Sequence, residues 1–328
     1  MKSKGSSFKV AIVQHPPVFL NLSESLNRAR QFTNDAAKEG ARVVVFPETW
    51  LPGYPVWLDY SPNAAIWDHP PAKALFHILV ENSLNLKSQA FQNLLAMAKK
   101  AKAHIIMGAH ELVGGTLYNT MIYAHKNGSD FQLHRKLMPT YSERMIWGTG
   151  DGSTLGVLET EFGNIGGLIC WEHWMPLARA AMHAKNEVLH VAQWPMVKEG
   201  NHLASRHYAF EGQCFVAAAG CVLGRGEILE GFDSLQQKKS PARELLEAVP
   251  GNNRDLILRG GSAVIAPNAE YVVGPVYDQP GIIYAEIDPG LITEGRLALD
   301  TDGHYARPDV FRLEVNEREQ ETVTYGGK

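Results

Sequence analysis

Cysteine is scarce in this sequence of 328 residues, which has only Cys170, Cys214 and Cys221. Three cysteines are too few for a disulfide framework and are typical of a reducing compartment. The first segment, MKSKGSSFKV, lacks the apolar stretch of a secretory signal. No apolar segment approaches the length of about 18 residues that a bilayer span requires. We therefore expect a cytoplasmic protein without a membrane segment, in which any special cysteine is special for its thiol.

The sequence also lacks an excess of positive charge and the common nucleotide-binding motifs. The net charge is -4 and the isoelectric point is near 6.4, so nothing predicts a nucleic-acid or anionic-membrane partner. Neither G-x-G-x-x-G nor a P-loop occurs, and G-x-S-x-G, the motif of many serine hydrolases, is absent as well. With 45% hydrophobic and 20% charged residues, the composition is that of a soluble globular protein.

Strand patterns alternate with helical patterns and with hairpins along the chain. Strands are predicted over 8–14, 42–48, 104–112, 187–194, 214–222 and 281–288, hairpins over 117–136, 153–170 and 261–275, and helices over 22–41, 88–103, 175–186 and 201–213. This order predicts an α/β fold in which helices cover the outer faces of sheets, a layered sandwich rather than a plain doubly wound sheet.

No linker divides the chain, which predicts a single domain over 1–290 and a charged, extended C-terminal tail over 291–328. The stretch 225–260 has little periodicity and is interpreted as a surface loop or short helix. Together with the loop near 54–74, it is expected to supply subunit contacts or substrate selection.

Three reactive side chains follow predicted strands: Glu48, Lys136 and Cys170. Each alone has an ordinary explanation, as a cap, a solvated charge and a core residue. Together they favour chemistry, because a thiol is mostly protonated at neutral pH and gains from a nearby base such as Glu48. An ammonium at Lys136 could stabilise the thiolate and the negative charge that develops on a substrate. Glu143, seven residues after Lys136, could hold that lysine in place.

A metal site at Cys170 and His173 is a weaker hypothesis, because no second Cys/His pair follows at zinc spacing. His173 is interpreted as a structural hydrogen-bonding group, and Glu172 as a charge near the start of the next helix. Cys214 and Cys221 lie in an apolar strand pattern and are expected in the core.

Three segments, FPETWLPGYP, HRKLMPTYSERMIWGTGDG and CWEHWMPLAR, together resemble the nitrilase superfamily and, within it, the nitrilase branch. The resemblance implies a four-layer αββα sandwich whose Glu-Lys-Cys triad works without a metal or an organic cofactor. It implies that Glu48 is the general base, Lys136 the electrostatic stabiliser and Cys170 the nucleophile. Glu143 would then be the additional carboxylate near the lysine, and the backbone amide of Trp171 would help to bind developing negative charge.

The family resemblance further implies a homodimer that pairs through the region after Cys170, and many family members extend into spirals. The expected reaction is hydrolysis of a small nitrile to the carboxylic acid and ammonia. An amidase or carbamoylase, a cyanide hydratase or dihydratase, and an inactive binding protein on the same fold are the alternatives. Tyr54, Trp147, Trp171 and Trp174 lie close to the motif residues in sequence and are predicted to line the substrate pocket. Such a pocket favours aliphatic or arylaliphatic nitriles of moderate size.

Overall fold

The structure is a computed structural model and describes residues 6–237, 239–321, 323 and 326. Within these residues it contains thirteen β-strands and nine α-helices. The strands are β1 (Phe8–Val13), β2 (Ala41–Val45), β3 (His104–Val113), β4 (Thr116–Ala124), β5 (Phe131–Arg135), β6 (Leu158–Thr160), β7 (Gly163–Ile169), β8 (Glu187–Gln193), β9 (Phe215–Ala219), β10 (Val222–Gly224), β11 (Leu256–Ile265), β12 (Tyr271–Tyr277) and β13 (Ile282–Ile287). The helices are α1 (Leu22–Lys38), α2 (Trp57–Tyr60), α3 (Pro70–Glu81), α4 (Gln89–Ala101), α5 (Pro176–His183), α6 (Glu199–Gly212), α7 (Arg225–Asp233), α8 (Ala242–Glu247) and α9 (Pro289–Gly295).

The strands form two mixed sheets. The first has the order β13-β1-β2-β3-β4-β5, in which β1, β2 and β3 run parallel and the other pairs are antiparallel. The second has the order β10-β11-β9-β8-β7-β6, with β12 on β11, and its parallel core is β7, β8 and β9. Parallel strands buried on both faces explain why these segments read as continuous apolar runs.

Alternate residues of each central strand point to opposite layers. In β1, Val10 and Ile12 pack in the core between the two sheets, whereas Ala11 and Val13 pack in the core under the helices of the first sheet. That outer core includes Leu26 of α1 and further residues of α4. On the other side, α5 and α6 cover the second sheet and join the inter-sheet core. The result is the predicted four-layer αββα sandwich.

Most predicted elements are confirmed within a few residues, and the structure adds to or differs from the predictions at three places. The single strand over 214–222 is two strands, β9 and β10, separated at Gly220 and Cys221. The stretch 225–260 contains α7, α8 and the start of β11, and Phe232 and Leu246 are fully buried in it. Helix α3 was missed altogether.

Helix α9 crosses residue 290, where sequence analysis placed the end of the domain. The described residues after Pro308 have no helix or strand. They lie against the body of the protein, since Lys185 pairs with Glu317 at 2.7 Å and the backbone N–H of Gln320 donates to Asp151 at 2.8 Å. Within the described residues, we find no helix with the length and apolarity that a membrane span requires.

Candidate active site

The carboxyl ends of three strands bring Glu48, Lys136 and Cys170 together. Lys136 follows β5 directly, Cys170 follows β7 directly, and Glu48 lies three residues beyond β2. The chain around Glu48 crosses β3 closely at Gly108, where a Cβ atom would lie 2.1 Å from the carbonyl oxygen of Pro47. Only glycine permits this crossing, which fixes the backbone that carries the glutamate.

Lys136 lies between two carboxylates. Its Nζ atom is 2.9 Å from Oε1 of Glu48 and 2.7 Å from Oε2 of Glu143, and all three side chains are almost completely buried. Burial alone would lower the pKa of the Lys136 ammonium, but the surrounding negative charges, including Cys170 when it is ionised, hold that pKa above its ordinary value. The lysine is therefore a permanent cation at the centre of the cluster.

One oxygen of Glu48 is fully engaged and the other is free. Oε1 accepts from Nζ of Lys136 and, at 2.7 Å, from Nδ2 of Asn119, whereas Oε2 is buried without a hydrogen-bond partner among the described residues. Burial raises the pKa of Glu48 from 4.5 to about 7, against the opposing effect of the Lys136 ammonium. A carboxylate with this pKa and a free oxygen is suited to accept and return a proton near neutral pH.

Cys170 presents its sulfur from a constrained backbone. Its φ angle is +54°, in the left-handed region that side chains rarely adopt, and the residue is only 5% exposed. One oxygen of Glu48, one oxygen of Glu143 and Sγ of Cys170 all lie within 4.8 Å of one another. Burial and the Glu48 carboxylate raise the pKa of the thiol, while the Lys136 ammonium and the Trp171 backbone N–H lower it. The resting sulfur is thus a thiol that needs a neighbouring base to become a nucleophile.

Glu143 holds the lysine and part of the pocket wall at once. Its carboxylate accepts from Nζ of Lys136, from the backbone N–H of Thr140 at 2.6 Å and from the Tyr54 hydroxyl at 3.1 Å. It lies on a short 3₁₀ helix, Tyr141–Met145, after β5. These contacts fix the position of the lysine head group.

A pocket of about 460 Å³ opens above Cys170. Its aromatic lining comprises Tyr54, Tyr60, Tyr141, Trp171, Trp174 and Trp194, and its polar lining includes Asp59, Ser142, Lys198 and Asn201. Three of the four predicted pocket residues, Tyr54, Trp171 and Trp174, thus line it.

Trp147 does not line this pocket. The residue is buried, its Nε1 donates to Nδ1 of His110 at 3.0 Å, and its ring lies 5.8 Å from Nζ of Lys136. It packs behind the lysine and against Tyr54, because the turn after Glu143 directs it inward. Asn119 and Lys198 belong to the site and were missed, since an amide inside a strand and a lysine before a helix carry no distinctive sequence signal.

Glu172, predicted as a charge near a helix start, lies in the first turn of a short 3₁₀ helix, Cys170–Trp174, and is also buried. Its carboxylate accepts from the backbone N–H of Ile169 at 2.6 Å, from that of Leu137 at 2.7 Å and from Nε2 of His134 at 2.9 Å. It therefore ties the segment of the nucleophile to that of the lysine. Burial opposes ionisation, yet the His134 charge and these hydrogen bonds hold the pKa of Glu172 below its ordinary value.

His173 has the structural role that the sequence suggested. Its Nδ1 lies 2.8 Å from the carbonyl oxygen of Cys170, and its Nε2 lies 3.0 Å from Nε2 of His190. Both ring nitrogens are engaged, so the ring offers no free nitrogen to a metal beside the sulfur.

A comparison with known families identifies the chain. The family model described as carbon-nitrogen hydrolase matches residues 9–297. This chain belongs to the carbon-nitrogen hydrolase family.

The resemblance to nitrilases is confirmed by relatives along nearly the whole chain. The chain is 35% identical to nitrilase 3 of Arabidopsis thaliana, covering 98% of this chain and 90% of that protein. It is 37% identical to a nitrilase of Pseudomonas syringae, covering 94% and 89%, respectively. It is also 33% identical to an aliphatic nitrilase of Rhodococcus rhodochrous, covering 97% and 81%.

Two solved structures share the fold of this chain. Nit3 of Saccharomyces cerevisiae, from the nitrilase superfamily, matches with a TM-score of 0.62 and 21% identity, covering 92% of this chain and 98% of that one. The NitFhit protein of C. elegans matches with a TM-score of 0.67 and 17% identity, covering 98% of this chain and 70% of that one. The predicted fold class is thereby confirmed.

Proposed function

We propose that this carbon-nitrogen hydrolase is a nitrilase, which converts an organic nitrile to the carboxylic acid and ammonia through a covalent intermediate on Cys170. The observation that carries the proposal is the buried cluster in which the thiol lies beside two carboxylates bridged by one ammonium. The similarity to curated nitrilases over nearly the full length supports the nitrile as substrate class.

The first step forms the carbon–sulfur bond. Glu48 accepts the thiol proton through its free oxygen, and the sulfur of Cys170 adds to the nitrile carbon. Negative charge develops on the nitrile nitrogen, where the Lys136 ammonium and the Trp171 backbone N–H stabilise it. Protonation of that nitrogen gives a neutral thioimidate and returns Glu48 to its ionised form.

The second step releases ammonia and the third releases the acid. Glu48 accepts a proton from a water molecule, whose oxygen adds to the thioimidate carbon to give a tetrahedral intermediate. Glu48 passes this proton to the nitrogen and then transfers the proton of the new hydroxyl group to it as well. The carbon–nitrogen bond breaks, ammonia leaves, and the hydroxyl oxygen becomes the carbonyl oxygen of a thioester. A second water molecule hydrolyses the thioester, which frees the acid and the thiol. If sulfur leaves the tetrahedral intermediate before ammonia does, the product is an amide.

Glu143 is proposed as a catalytic-site carboxylate that holds Lys136, and Tyr54, Trp171 and Trp174 as pocket-wall residues. Their aromatic faces, with the pocket volume of about 460 Å³, support aliphatic or arylaliphatic nitriles of moderate size as substrates.

The proposed oligomer is a homodimer formed through α5 and α6. Such dimers are proposed as the units of a larger spiral assembly. Large apolar side chains on and before these helices are exposed: Trp174, Met175, Leu177, Leu203 and Phe210. Exposed apolar patches of this kind mark interaction surfaces. The tail over 291–328 carries exposed Val310 and Phe311 and is proposed to contribute subunit contacts. Three unpaired buried cysteines support a reducing, cytoplasmic location.

The proposed activity is tested with a panel of aliphatic, aromatic and arylacetic nitriles, cyanide and the matching amides, scored for acid and amide product. Wild-type protein should hydrolyse a nitrile to acid, and Cys170→Ala should lower kcat by more than about 10³-fold. Cys214→Ala, at another buried free cysteine, is the matched control and should remain active. Faster turnover of amides than of nitriles would make the protein an amidase, and turnover by Cys170→Ala would overturn the assigned roles.

A further inference from the structure

Four buried side chains form a continuous hydrogen-bonded chain behind the nucleophile, which we call the histidine relay: His173, His190, Glu187 and Tyr208. It begins at the carbonyl oxygen of Cys170, which lies 2.8 Å from Nδ1 of His173. The Nε2 atoms of the two histidines are 3.0 Å apart, and Nδ1 of His190 lies 2.9 Å from Oε1 of Glu187. The hydroxyl of Tyr208 donates to Oε2 of Glu187 at 2.6 Å.

The direction of donation follows from the chemistry of the groups. A carbonyl oxygen only accepts, so Nδ1 of His173 carries a proton. Burial lowers the pKa of both His173 and His190, so both rings are neutral. His173 then accepts at Nε2 from His190, whose Nδ1 becomes an acceptor in turn. Glu187 must therefore donate, as a carboxylic acid. Burial supports this neutral assignment, because it raises the pKa of Glu187 to about 8 and lowers the pKa of His173 to about 3.

The residues around the relay leave space for its carboxyl group and stack on its two imidazole rings. A Cβ atom on Gly166 would lie 2.0 Å from Oε1 of Glu187, so the glycine makes room for the carboxyl group. Tyr208 stacks on His190 with ring centroids 3.6 Å apart, and Trp194 stacks on His173 at 4.9 Å.

Two histidines beside the relay have partners of their own. His183 lies beside Tyr208, and its Nε2 is 3.1 Å from Oε2 of Glu211. His134 is paired with Glu172. All polar atoms of the relay are thus satisfied within it, and the end of the relay that faces the site is the carbonyl group of Cys170.

That carbonyl group belongs to the same planar peptide unit as the N–H of Trp171. Because the peptide is rigid, a hydrogen bond that fixes the carbonyl direction also fixes the N–H direction, which is opposite. The Trp171 N–H lowers the pKa of the Cys170 thiol and therefore favours the thiolate. A bond donated to the carbonyl also polarises the peptide and strengthens its N–H as a donor.

We propose that His173, held by His190, Glu187 and Tyr208, is a positioning residue that aims the Trp171 backbone N–H at the reacting atoms. This inference rests on the proposed function, since it assigns the N–H a role in stabilising the thiolate and the developing negative charge. His173 acts through the peptide and does not touch the substrate.

The test compares two amides at position 173, because their nitrogens mimic different atoms of the imidazole. In asparagine the amide nitrogen is separated from Cα by the same number of covalent bonds as Nδ1 of histidine. In glutamine the amide nitrogen is separated from Cα by the same number of bonds as Nε2 of histidine. His173→Asn keeps a donor for the carbonyl of Cys170 and should stay within about 5-fold of wild-type kcat. His173→Gln and His173→Leu should lose about 10²-fold in kcat with KM little changed, the scale of one lost oxyanion donor.

A second pair of variants acts at a distance from the nucleophile. Glu187→Gln keeps both a donor for His190 and an acceptor for Tyr208, and should retain most of the activity. Glu187→Leu leaves Nδ1 of His190 without a donor and should lower kcat more than Glu187→Gln does, but less than His173→Leu, which removes the donor to the Cys170 carbonyl itself. If Glu187→Gln lost as much activity as Glu187→Leu, an ionised Glu187 and a charged relay would be indicated, and the neutral relay would be wrong.

An assay that does not depend on turnover separates this inference from the proposed function. Alkylation of Cys170 by iodoacetamide, followed by mass spectrometry, should be slower in His173→Leu and largely restored in His173→Asn, with thermal midpoints recorded for each variant. Equal alkylation and equal kcat in these two variants would overturn the positioning role. Nitrile turnover by Cys170→Ala would instead overturn the proposed function.

Discussion

The carboxamide of Asn119 donates a hydrogen bond of 2.7 Å to Oε1 of Glu48, and the same oxygen accepts a hydrogen bond from the Lys136 ammonium. Both donors thus stabilise the ionised carboxylate through one oxygen and leave Oε2 without a partner among the described residues. This arrangement separates two tasks on one side chain. One oxygen anchors the carboxylate, and the other is free to take a proton from the thiol or from water.

The first prediction concerns the acid limb of the pH profile. Glu48 acts as a base only when ionised, and burial raises its pKa to about 7, so kcat/KM should fall as the pH drops below that value. The measurement is kcat/KM for an uncharged nitrile from about pH 5 to about pH 9. A profile that stays flat down to about pH 5 would contradict the role of Glu48.

Substitution of Asn119 should move this limb. Asn119→Leu removes a hydrogen bond that lowers the pKa of Glu48, so the acid limb should shift to higher pH by up to about one unit. Asn164→Leu is a suitable control. Asn164 lies in β7 of the second sheet and donates to the carbonyl of Lys185, so it makes no hydrogen bond to Glu48. An unshifted limb with lowered kcat would mean that Asn119 supports the site only through packing.

Much of this site was predictable because its reactive side chains follow the ends of predicted strands. Glu48, Lys136 and Cys170 each follow such a strand, and β2, β5 and β7 bring their ends together. The sheet order could not be read from periodicity, since it depends on which strand edges pair. The family resemblance supplied the four-layer architecture but not the order of the strands.

Residues whose roles depend on distant contacts were not predictable. Glu172 looked like a charge before a helix, yet it accepts from the backbone of Leu137, which is 35 residues away. Glu187 and His190 lie in a strand that reads as ordinary core. The short helices predicted as one alternative for 225–260 are present, but their bounds could not be read, because α7 and α8 have only nine and six residues, too few for a clear helical period.

Replacement of Glu172 should uncouple the nucleophile from the lysine. The Glu172 carboxylate accepts hydrogen bonds from Ile169, Leu137 and His134. In Glu172→Gln an amide NH₂ group replaces one carboxylate oxygen and must face at least one of these donors. We expect a loss of about 2–4 kcal/mol in the free energy of unfolding, measured by urea denaturation, and a severe loss of kcat. Glu159→Gln, at an exposed residue of β6, should change neither quantity. Wild-type stability in Glu172→Gln would show that the two backbone bonds are not essential.

The last prediction concerns the stability of the relay. Burial raises the pKa of Glu187 from 4.5 to about 8, so the folded state binds this proton more tightly than the unfolded state does. The stabilising contribution is fully present below about pH 4.5 and is lost as the pH rises through about 8. Glu187→Gln cannot ionise and keeps the neutral hydrogen bonds.

Relative to wild type, Glu187→Gln should therefore gain stability as the pH rises from about 5 to about 8, by at most about 1.4 kcal/mol per pH unit. Urea denaturation of both proteins at several pH values measures this difference, and Glu159→Gln again serves as the control. A difference that does not change over this range would mean that Glu187 is already ionised in the folded state, and the donation order of the relay would have to be reversed.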